Sequence, residues 1–298
     1  MRKNKVIFFA RQPNSRIAER VHGTVSGFSL IARLHLQLET LRDTDVIVDL
    51  TGVDRIDGHL TPCLQAVVNR AAINGNTIRL AKVASAIHST FCKNRFVVEE
   101  RIDRHNTVMP VTTFSVDGGK EFAVYAKKYL SRPEMPRMTI SLREKLHEGI
   151  GELFENSAMH SRTKAPIIVG GQFYPTKNWI SMSIVDIGQG IQRAVSAKLG
   201  INLTPQDAIG WAMEPFNTTK DGDVPGGLGS KILREFIEKN KGKITVVSNN
   251  GYWSQYGTNV TKRRLPMAFP GTAVVLEINS SDRQSYELKV SPDPYSIW

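Results

Sequence analysis

The sequence predicts an α/β protein made of two regions: a smaller α/β region over residues 1–118 and an α/β sandwich over residues 119–282, followed by a tail over 283–298. Three observations support this prediction. The chain has 298 residues, 41% hydrophobic and 22% charged, which suits two globular domains of roughly 100–200 residues each. The first region has a strand–helix–strand pattern. The second has helical patterns before a run of strand patterns.

The elements of the first region follow each other closely. A short apolar run over 46–50 predicts a strand, and helical apolar spacing over 60–73 predicts a helix that ends at the turn 74–76. Residues 77–83 alternate as a strand does. The turn signal at 117–119 marks the expected boundary between the two regions.

The second region reads as helices packed on a sheet. Helical patterns cover residues 120–130, 141–159, 205–211 and 230–240. Strand patterns cover residues 166–173, 179–185, 243–248, 258–261 and 272–278. Thr139 or Ser141 can cap the second helix, and the polar segment 280–298 predicts irregular chain. We therefore expect a mostly antiparallel sheet with helices covering one of its faces.

Charge and composition argue against several classes of protein. The net charge of +11 divides evenly, because residues 1–117 hold 16 basic and 11 acidic residues and the rest hold 23 and 17. The densest basic run, 262–264, has no interleaved aromatic side chains of the kind that stack on bases, so we do not expect nucleic acid as a partner. No run approaches the ~20 apolar residues of a membrane span. The two cysteines fit a reducing compartment, and we expect a cytoplasmic protein.

The segment GELFENSAMHS at 151–161 presents a carboxylate and an amide on one face of a helix. Glu152 and Asn156 lie four residues apart, so their side chains project from the same side. Leu153 and Phe154 point elsewhere and can bury the helix. The alternative interpretation of the pair is a solvated helix flank.

The segment IVDIGQGI at 184–191 is an apolar strand that ends in a glycine turn. Asp186 at the strand end can accept a hydrogen bond from an exocyclic amine, and Gly188 and Gly190 let the backbone approach a flat ring. That chemistry suits an adenine pocket. Aspartate and glycine are also common turn residues, so an ordinary turn stays open as the alternative.

A glycine-rich loop precedes the helix predicted from residue 230. Gly226, Gly227 and Gly229 lie in DGDVPGGLGSKIL, where backbone N–H groups and the positive end of a helix dipole favour phosphate. Lys220 is placed to reach a terminal phosphate, although a solvated lysine is the alternative. The loop lacks the residue order of a P-loop.

Taken together and in this order, these segments resemble the GHKL ATPase superfamily of gyrase B, histidine kinases and MutL over about 141–278. The resemblance implies the Bergerat fold, an α/β sandwich that holds ATP and Mg²⁺ between helices and sheet. It implies that Glu152 orients or deprotonates the attacking water or receiving hydroxyl, that Asn156 is the Mg²⁺ ligand, and that Asp186 binds the adenine amine. The other residues of the predicted nucleotide site are Gly188, Gly190, Lys220, Gly226, Gly227, Leu228, Gly229 and Thr272. Residues 194–225 fall where that family has its ATP lid.

Residues 46–83 resemble the STAS domain of anti-sigma-factor antagonists, because DLTGV is followed by IDGHL. Gly58 and His59 stand where those antagonists carry a phosphorylatable serine, so the usual phosphoswitch is not expected. Thr61 is a nearby hydroxyl suited to capping the following helix. The resemblance implies a module that binds a protein partner or the chain's own ATPase domain.

The leading hypothesis is a Mg²⁺-dependent ATPase whose nucleotide state orders a lid and signals to a partner. Alternatives are a serine/threonine kinase of the anti-sigma-factor type, a non-catalytic interaction scaffold and, last, a nucleic-acid-binding protein. A classical sensor kinase does not fit, because residues 119–139 leave no room for a two-helix phosphoacceptor hairpin. Many GHKL proteins form homodimers, although this sequence has no heptad run to support one.

Overall fold

The computed structural model describes residues 3–10, 18–97, 102–214, 217 and 228–287, and it is a mixed α/β protein, which confirms the predicted fold class at that level. The strands are β1 (Lys3–Phe8), β2 (Glu19–Val21), β3 (Thr44–Asp49), β4 (Val53–Ile56), β5 (Thr77–Ala81), β6 (Val108–Phe114), β7 (Arg137–Met138), β8 (Ile167–Tyr174), β9 (Trp179–Asp186), β10 (Lys243–Tyr256), β11 (Asn259–Asn279) and β12 (Ser285–Tyr286). The helices are α1 (Val25–Glu39), α2 (Thr61–Ile73), α3 (Ser85–Lys93), α4 (Gly119–Leu130), α5 (Ile140–His160), α6 (Ile191–Leu199), α7 (Pro205–Met213) and α8 (Leu228–Lys239). Among the described residues, no helix is both long and apolar enough to cross a bilayer.

The N-terminal half contains a three-stranded parallel sheet in the order β1–β3–β5. The predicted strand, helix and strand of this half are present as β3, α2 and β5. Parallel strands need a crossover connection, and α2 supplies it between β3 and β5. The preceding helix α1 begins after Thr24, whose side chain accepts a hydrogen bond from Gly27 N.

The second sheet is antiparallel and has the order β10–β11–β9–β8–β6. Its edge strand β6 lies before the boundary predicted at 117–120, yet it pairs with β8 through contacts such as Met109 with Gly171. The turn signal at 117–119 instead connects β6 to α4 within this half of the molecule. A turn signal marks any tight reversal of the chain, so it does not by itself locate a domain boundary.

Both faces of this sheet are covered by helices. On one face, Met182 and Ile184 of β9 share a core with α4, α5, α7 and α8. On the other face, Val185 and Ala273 share a core with α1, α2 and the parallel sheet. The helices of the second region therefore cover one face, as predicted, and the N-terminal half covers the other. Consecutive apolar residues, as in 273–276, are typical of strands buried on both faces.

The segment 280–298 is not irregular throughout. The short strand β12 pairs in parallel with β7, and Thr139 N donates a hydrogen bond to Tyr286 O. The ring of Tyr286 packs at 5.3 Å from that of Phe236 on α8. This part of the predicted tail therefore fixes the start of α5 and the end of α8. Residues 288–298 lie outside the described part of the chain.

Candidate functional site

A cavity opens between α5, α7, α8 and one face of the antiparallel sheet. Among its lining residues are five that the sequence predicts as site residues: Glu152, Asn156, Asp186, Gly190 and Thr272. Glu152 and Thr272 are 120 positions apart in the chain. The fold therefore brings together at one cavity the side chains that the sequence could place only on separate elements.

Helix α5 positions the carboxylate and the amide. Its N-cap is Thr139, one of the two predicted candidates, whose Oγ1 accepts a hydrogen bond from Leu142 N. Phe154 is fully buried, and its ring stacks on that of Phe122 with the centroids 4.5 Å apart. Because this apolar face anchors the helix in the core, the half-buried Glu152 and Asn156 line the cavity.

Asp186 closes the cavity at the end of β9. Its side chain is only 4% exposed, and Oδ1 accepts a hydrogen bond of 2.8 Å from Gly188 N. Burial raises the pKa of Asp186 to about 7, while hydrogen bonds from the Gly188 and Thr272 backbones act in the opposite direction. A carboxyl group with a pKa so far above its ordinary value, lining a cavity, is characteristic of functional sites.

Thr272 lies opposite Asp186 in the register between β11 and β9. Its Oγ1 is 3.0 Å from Ser248 Oγ, and Ser248 Oγ also accepts a hydrogen bond of 2.8 Å from Ile191 N. These contacts connect β10, β11 and the first residue of α6. The hydroxyl groups beside Asp186 are thus held in place from three elements.

The turn after Asp186 requires glycine at two positions. Gly190 has φ +83°, and a Cβ there would stand 1.9 Å from Asn249 Oδ1. A Cβ at Gly188 would stand 2.3 Å from Ser161 O, at the end of α5. Gln189 N donates a hydrogen bond of 2.9 Å to that same Ser161 oxygen. The turn that follows Asp186 is therefore pressed onto the helix that carries Glu152 and Asn156.

The phosphate side of the predicted site is described only in part. Lys220, Gly226 and Gly227 lie outside the described residues. Leu228 and Gly229 open α8, which starts two residues before the predicted position 230. The predicted lid segment 194–225 contains most of α6 and all of α7 among its described residues.

Several residues at the cavity were not predicted from the sequence. They are His160, Trp211, Arg234 and Ser248, of which the first three line the cavity and the last supports Thr272. The spacing of Glu152, Asn156 and His160, four residues apart each time, gives a signal that could have identified His160. The other three have no local sequence signal, because tertiary packing alone brings them to the cavity.

Arg234 on α8 is the most constrained of these residues. Its Nε donates a hydrogen bond of 3.0 Å to Gln255 Oε1, and another guanidinium nitrogen donates to Met213 O at the end of α7. The guanidinium lies 5.6 Å from the ring centroid of Trp253. Burial lowers the pKa of Arg234, but an arginine remains a cation under all ordinary conditions. It therefore places a fixed positive charge at the cavity wall.

The donor set at this site suits a hard cation shared with a ligand. Within the described ranges, there is no group of three or more His, Cys, Asp or Glu side chains that could hold a metal ion. Asn156 offers a single carbonyl oxygen, and Mg²⁺ commonly takes one or two protein oxygens together with waters and phosphate oxygens. The side chains present fit a Mg²⁺ ion that arrives bound to a nucleotide.

The predicted hydroxyl and histidine of the N-terminal half are both buried. Thr61 is the first residue of α2 and donates its hydroxyl to Gly58 O, so it does not cap the helix by accepting from an N–H group. His59 is 2% exposed and lies against the antiparallel sheet. Neither side chain presents a phosphoacceptor to solvent.

Comparison with models of protein families gives no match for this chain. A search of curated proteins gives no match to its sequence either.

Proposed function

We propose that the chain is a Mg²⁺-dependent ATP-binding protein of the GHKL superfamily with a Bergerat-type nucleotide site, acting as an ATPase switch. The observation that carries this proposal is the convergence of Glu152, Asn156, Asp186 and Thr272 on one cavity. A carboxylate beside an amide and a buried aspartate beside a glycine turn have no shared structural purpose, whereas a nucleotide needs all of them at once.

The end of β9 and the residue of β11 paired with it form the proposed adenine side. Asp186 accepts a hydrogen bond from the exocyclic amine, and Thr272 holds the base through its hydroxyl. Gly188 and Gly190 carry no side chain that would keep a flat ring away, and the Gln189 side chain donates a hydrogen bond to His160 O. Ser248 fixes the Thr272 hydroxyl, so this side of the site is organised before ligand arrives.

Helix α5 forms the proposed phosphate side. Asn156 supplies one oxygen to Mg²⁺, which neutralises phosphate charge when it is bound with the nucleotide. Glu152 lies one helical turn before Asn156, about 6 Å along the axis, where it can orient or deprotonate a water that attacks the terminal phosphate. The glycine-rich loop before α8 is proposed to donate backbone N–H groups to the phosphates.

The N-terminal half is proposed to be a STAS-like module that passes the nucleotide state to a protein partner. Its packing against the antiparallel sheet favours the chain's own nucleotide-binding half as its resting partner. The lid segment is proposed as the element whose order depends on phosphate contacts.

The test compares wild type with Glu152→Gln and Asn156→Ala, using Glu155→Gln as the matched control because Glu155 is an exposed carboxylate on the same helix. Calorimetry measures ATP binding with Mg²⁺, and phosphate release measures turnover. We expect Glu152→Gln to keep ATP binding and lose turnover by about 10² to 10⁴-fold, the usual size of general-base catalysis. Asn156→Ala should weaken Mg²⁺–ATP binding itself.

The control should behave as wild type. A wild-type protein that neither binds nor cleaves Mg²⁺–ATP, or equal activity in the wild type and all three variants, would refute the proposal. Labelled phosphate that appears on a co-purified protein, and not in water, would assign the same site to a serine/threonine protein kinase.

A further inference from the structure

The face of the antiparallel sheet that meets the N-terminal half is polar at one end. Four neighbouring strands present cross-strand partners there: Lys243 of β10, Glu277 of β11, Ser181 of β9 and Gln172 of β8. Cross-strand partners lie on the same face of a sheet, so these side chains form one polar row. Elsewhere, this same face packs against α1 and α2 through apolar side chains. The polar row is therefore a distinct part of the contact between the two halves.

The loop 57–60 lies on this polar row, with His59 at its centre. His59 Nδ1 is 3.0 Å from the Tyr174 hydroxyl, and His59 O accepts a hydrogen bond of 2.5 Å from Ser183 Oγ. His59 Nε2 is buried and has no hydrogen-bond partner within the described part of the chain. We call this set of interactions the His59 contact. It joins a loop of the N-terminal half to β8 and β9.

Four more polar atoms, on the same loop or on this polar face of the sheet, are also buried without a hydrogen bond among the described residues. They are Asp57 Oδ1, Ser181 Oγ, Thr245 Oγ1 and Glu277 Oε2. Glu277 Oε2 has an ion pair of 3.3 Å with Lys243 Nζ. A Cβ built on Gly23 would stand 3.1 Å from His59 Nε2 and 3.9 Å from Glu277 Oε2, so the imidazole nitrogen and the carboxylate oxygen face the same place.

Such a contact is weaker than an apolar one of the same extent. Buried polar groups are normally hydrogen-bonded, and each one left without a partner reduces the stability of the contact. Interfaces between parts of a chain that move relative to each other are more polar than permanent ones. The His59 contact thus has the properties of an interface that can open while the apolar packing of α1 and α2 persists.

Charged groups from several elements surround the imidazole of His59. Asp57 lies on its own loop and pairs with His22 at 2.9 Å, while Glu277 and Lys243 project from the sheet. Lys177 in the turn after β8 also acts on His59. Burial lowers the pKa of His59, against the opposing influence of the Glu277 and Asp57 carboxylates. The imidazole is therefore neutral in the closed contact and takes up a proton more readily when the contact opens to water.

The strands that hold this contact also hold the nucleotide cavity. On β9, Ser183 of the contact comes three residues before Asp186 of the cavity. On β11, Thr272 of the cavity comes five residues before Glu277 of the contact. We propose that the His59 contact is a releasable connection, opened by protonation of His59, through which the N-terminal half and the nucleotide cavity regulate each other.

The test measures hydrogen–deuterium exchange in the full chain without nucleotide at pH 7.5 and 5.5, with exchange times scaled to the intrinsic amide rate at each pH. We expect the amides of 56–60 to lose protection by at least tenfold at pH 5.5 in wild type. His59→Gln keeps a polar side chain that cannot titrate, so the protection of 56–60 in this variant should not change with pH. His147→Gln is the matched control, because burial lowers the pKa of His147 too but this residue lies on α5, away from the contact.

Two results would overturn the proton-dependent part. One is equal protection of 56–60 in wild type at both pH values. The other is a loss of protection of 56–60 at pH 5.5 in His59→Gln that is as large as the loss in wild type. If His59→Gln does not fold, Tyr174→Phe removes the hydroxyl that holds His59 Nδ1. That variant should show reduced protection of 56–60 already at pH 7.5, and wild-type protection there would count against the proposal.

The nucleotide-dependent part rests on the proposed function and is tested separately at pH 7.5. A nonhydrolysable ATP analogue with Mg²⁺ should raise protection both around Asp186 and Thr272 and at 56–60, because coupling between two sites is reciprocal. Protection around the cavity with no change at 56–60 would refute the coupling but leave the proposed function standing. No change at either place would refute the proposed function, while the pH experiment would still decide whether His59 controls the contact.

Discussion

The buried carboxyl of Asp186 makes a stability prediction whose sign depends on pH. Its pKa is raised from the ordinary 3.8 to about 7, so the unfolded chain loses this proton at a lower pH than the folded chain does. The favourable contribution to folding is complete below pH ~4 and is lost as the pH rises towards 7. At about 1.4 kcal/mol per pKa unit, the accumulated cost above pH 7 is on the order of 4 kcal/mol.

Asp186→Asn removes this cost because the carboxamide does not ionise. Part of the gain is offset, since the new amide N–H₂ group is buried, and an unpaired buried donor costs about 1–3 kcal/mol. The pH dependence is the sharper observable. The free energy of unfolding of the variant relative to wild type should rise by about 2 kcal/mol between pH 5.5 and 7 and then level off.

Urea denaturation at several pH values measures this difference, with Asp54→Asn as a control because Asp54 is exposed on β4. Asp186→Asn should also lower the affinity for ATP by at least tenfold. Asp186 Oδ1 already accepts a hydrogen bond from Gly188 N. In one orientation, the carboxamide N–H₂ group of the variant would face Gly188 N–H, and in the other it would face the amine of the proposed adenine, so it would meet a donor in both. Parallel stability curves for Asp186→Asn and wild type would show that the folded protein ionises Asp186 normally, and unchanged ATP affinity would refute its role at the adenine.

Two further predictions concern the turn and the covered face of the sheet. Gly190→Ala should destabilise the protein by about 1–3 kcal/mol and weaken ATP binding, because φ is +83° and the new Cβ would stand 1.9 Å from Asn249 Oδ1. Thermal unfolding and calorimetry test this against the control Gly52→Ala, where φ is +81° but no atom lies within 4 Å of the Cβ. ATP binding by the control should stay normal. Equal effects of the two substitutions would contradict the predicted clash at Gly190. Deleting residues 1–101 should give an aggregating protein, since Val185 and Ala273 would lose their apolar cover. A monodisperse, cooperatively unfolding fragment in sedimentation and calorimetry would contradict that expectation.

Local sequence patterns predicted the individual helices and strands of this fold better than they predicted which of them pack or pair together. The spacing of Glu152 and Asn156 predicted a helix with a polar face, and Asp186 was correctly expected at the end of a strand. These predictions succeed because periodicity and turn residues act over a few positions of the chain. By contrast, no strand was predicted over β6, and nothing in its seven residues indicates that its partner is β8.

The candidate site shows the same division between local and tertiary information. Residues in compact motifs, such as Asp186 with its glycine turn, could be selected without knowing the fold. Arg234 could not, because its contacts with Met213 O and Gln255 join three elements that are adjacent only after folding. Similarly, the burial of His59 depends on β8 and β9, which begin more than 100 residues later.

The two-sided burial of the antiparallel sheet explains how the chain tolerates an unfavourable site. Asp186 is costly at neutral pH, and Gly190 is held in a backbone conformation that other residues avoid. Asp186 is the last residue of β9, and Gly190 comes four residues later. The alternate side chains of β9 join two separate cores. Because each core stabilises the same strand, opening the Asp186 turn would disturb packing on both faces. None of the described residues that line the cavity comes from the N-terminal half, so that half supports the proposed nucleotide site through the sheet. Any signal that loosens its hold on β9 and β11 would reach Asp186 and Thr272 through the strands themselves.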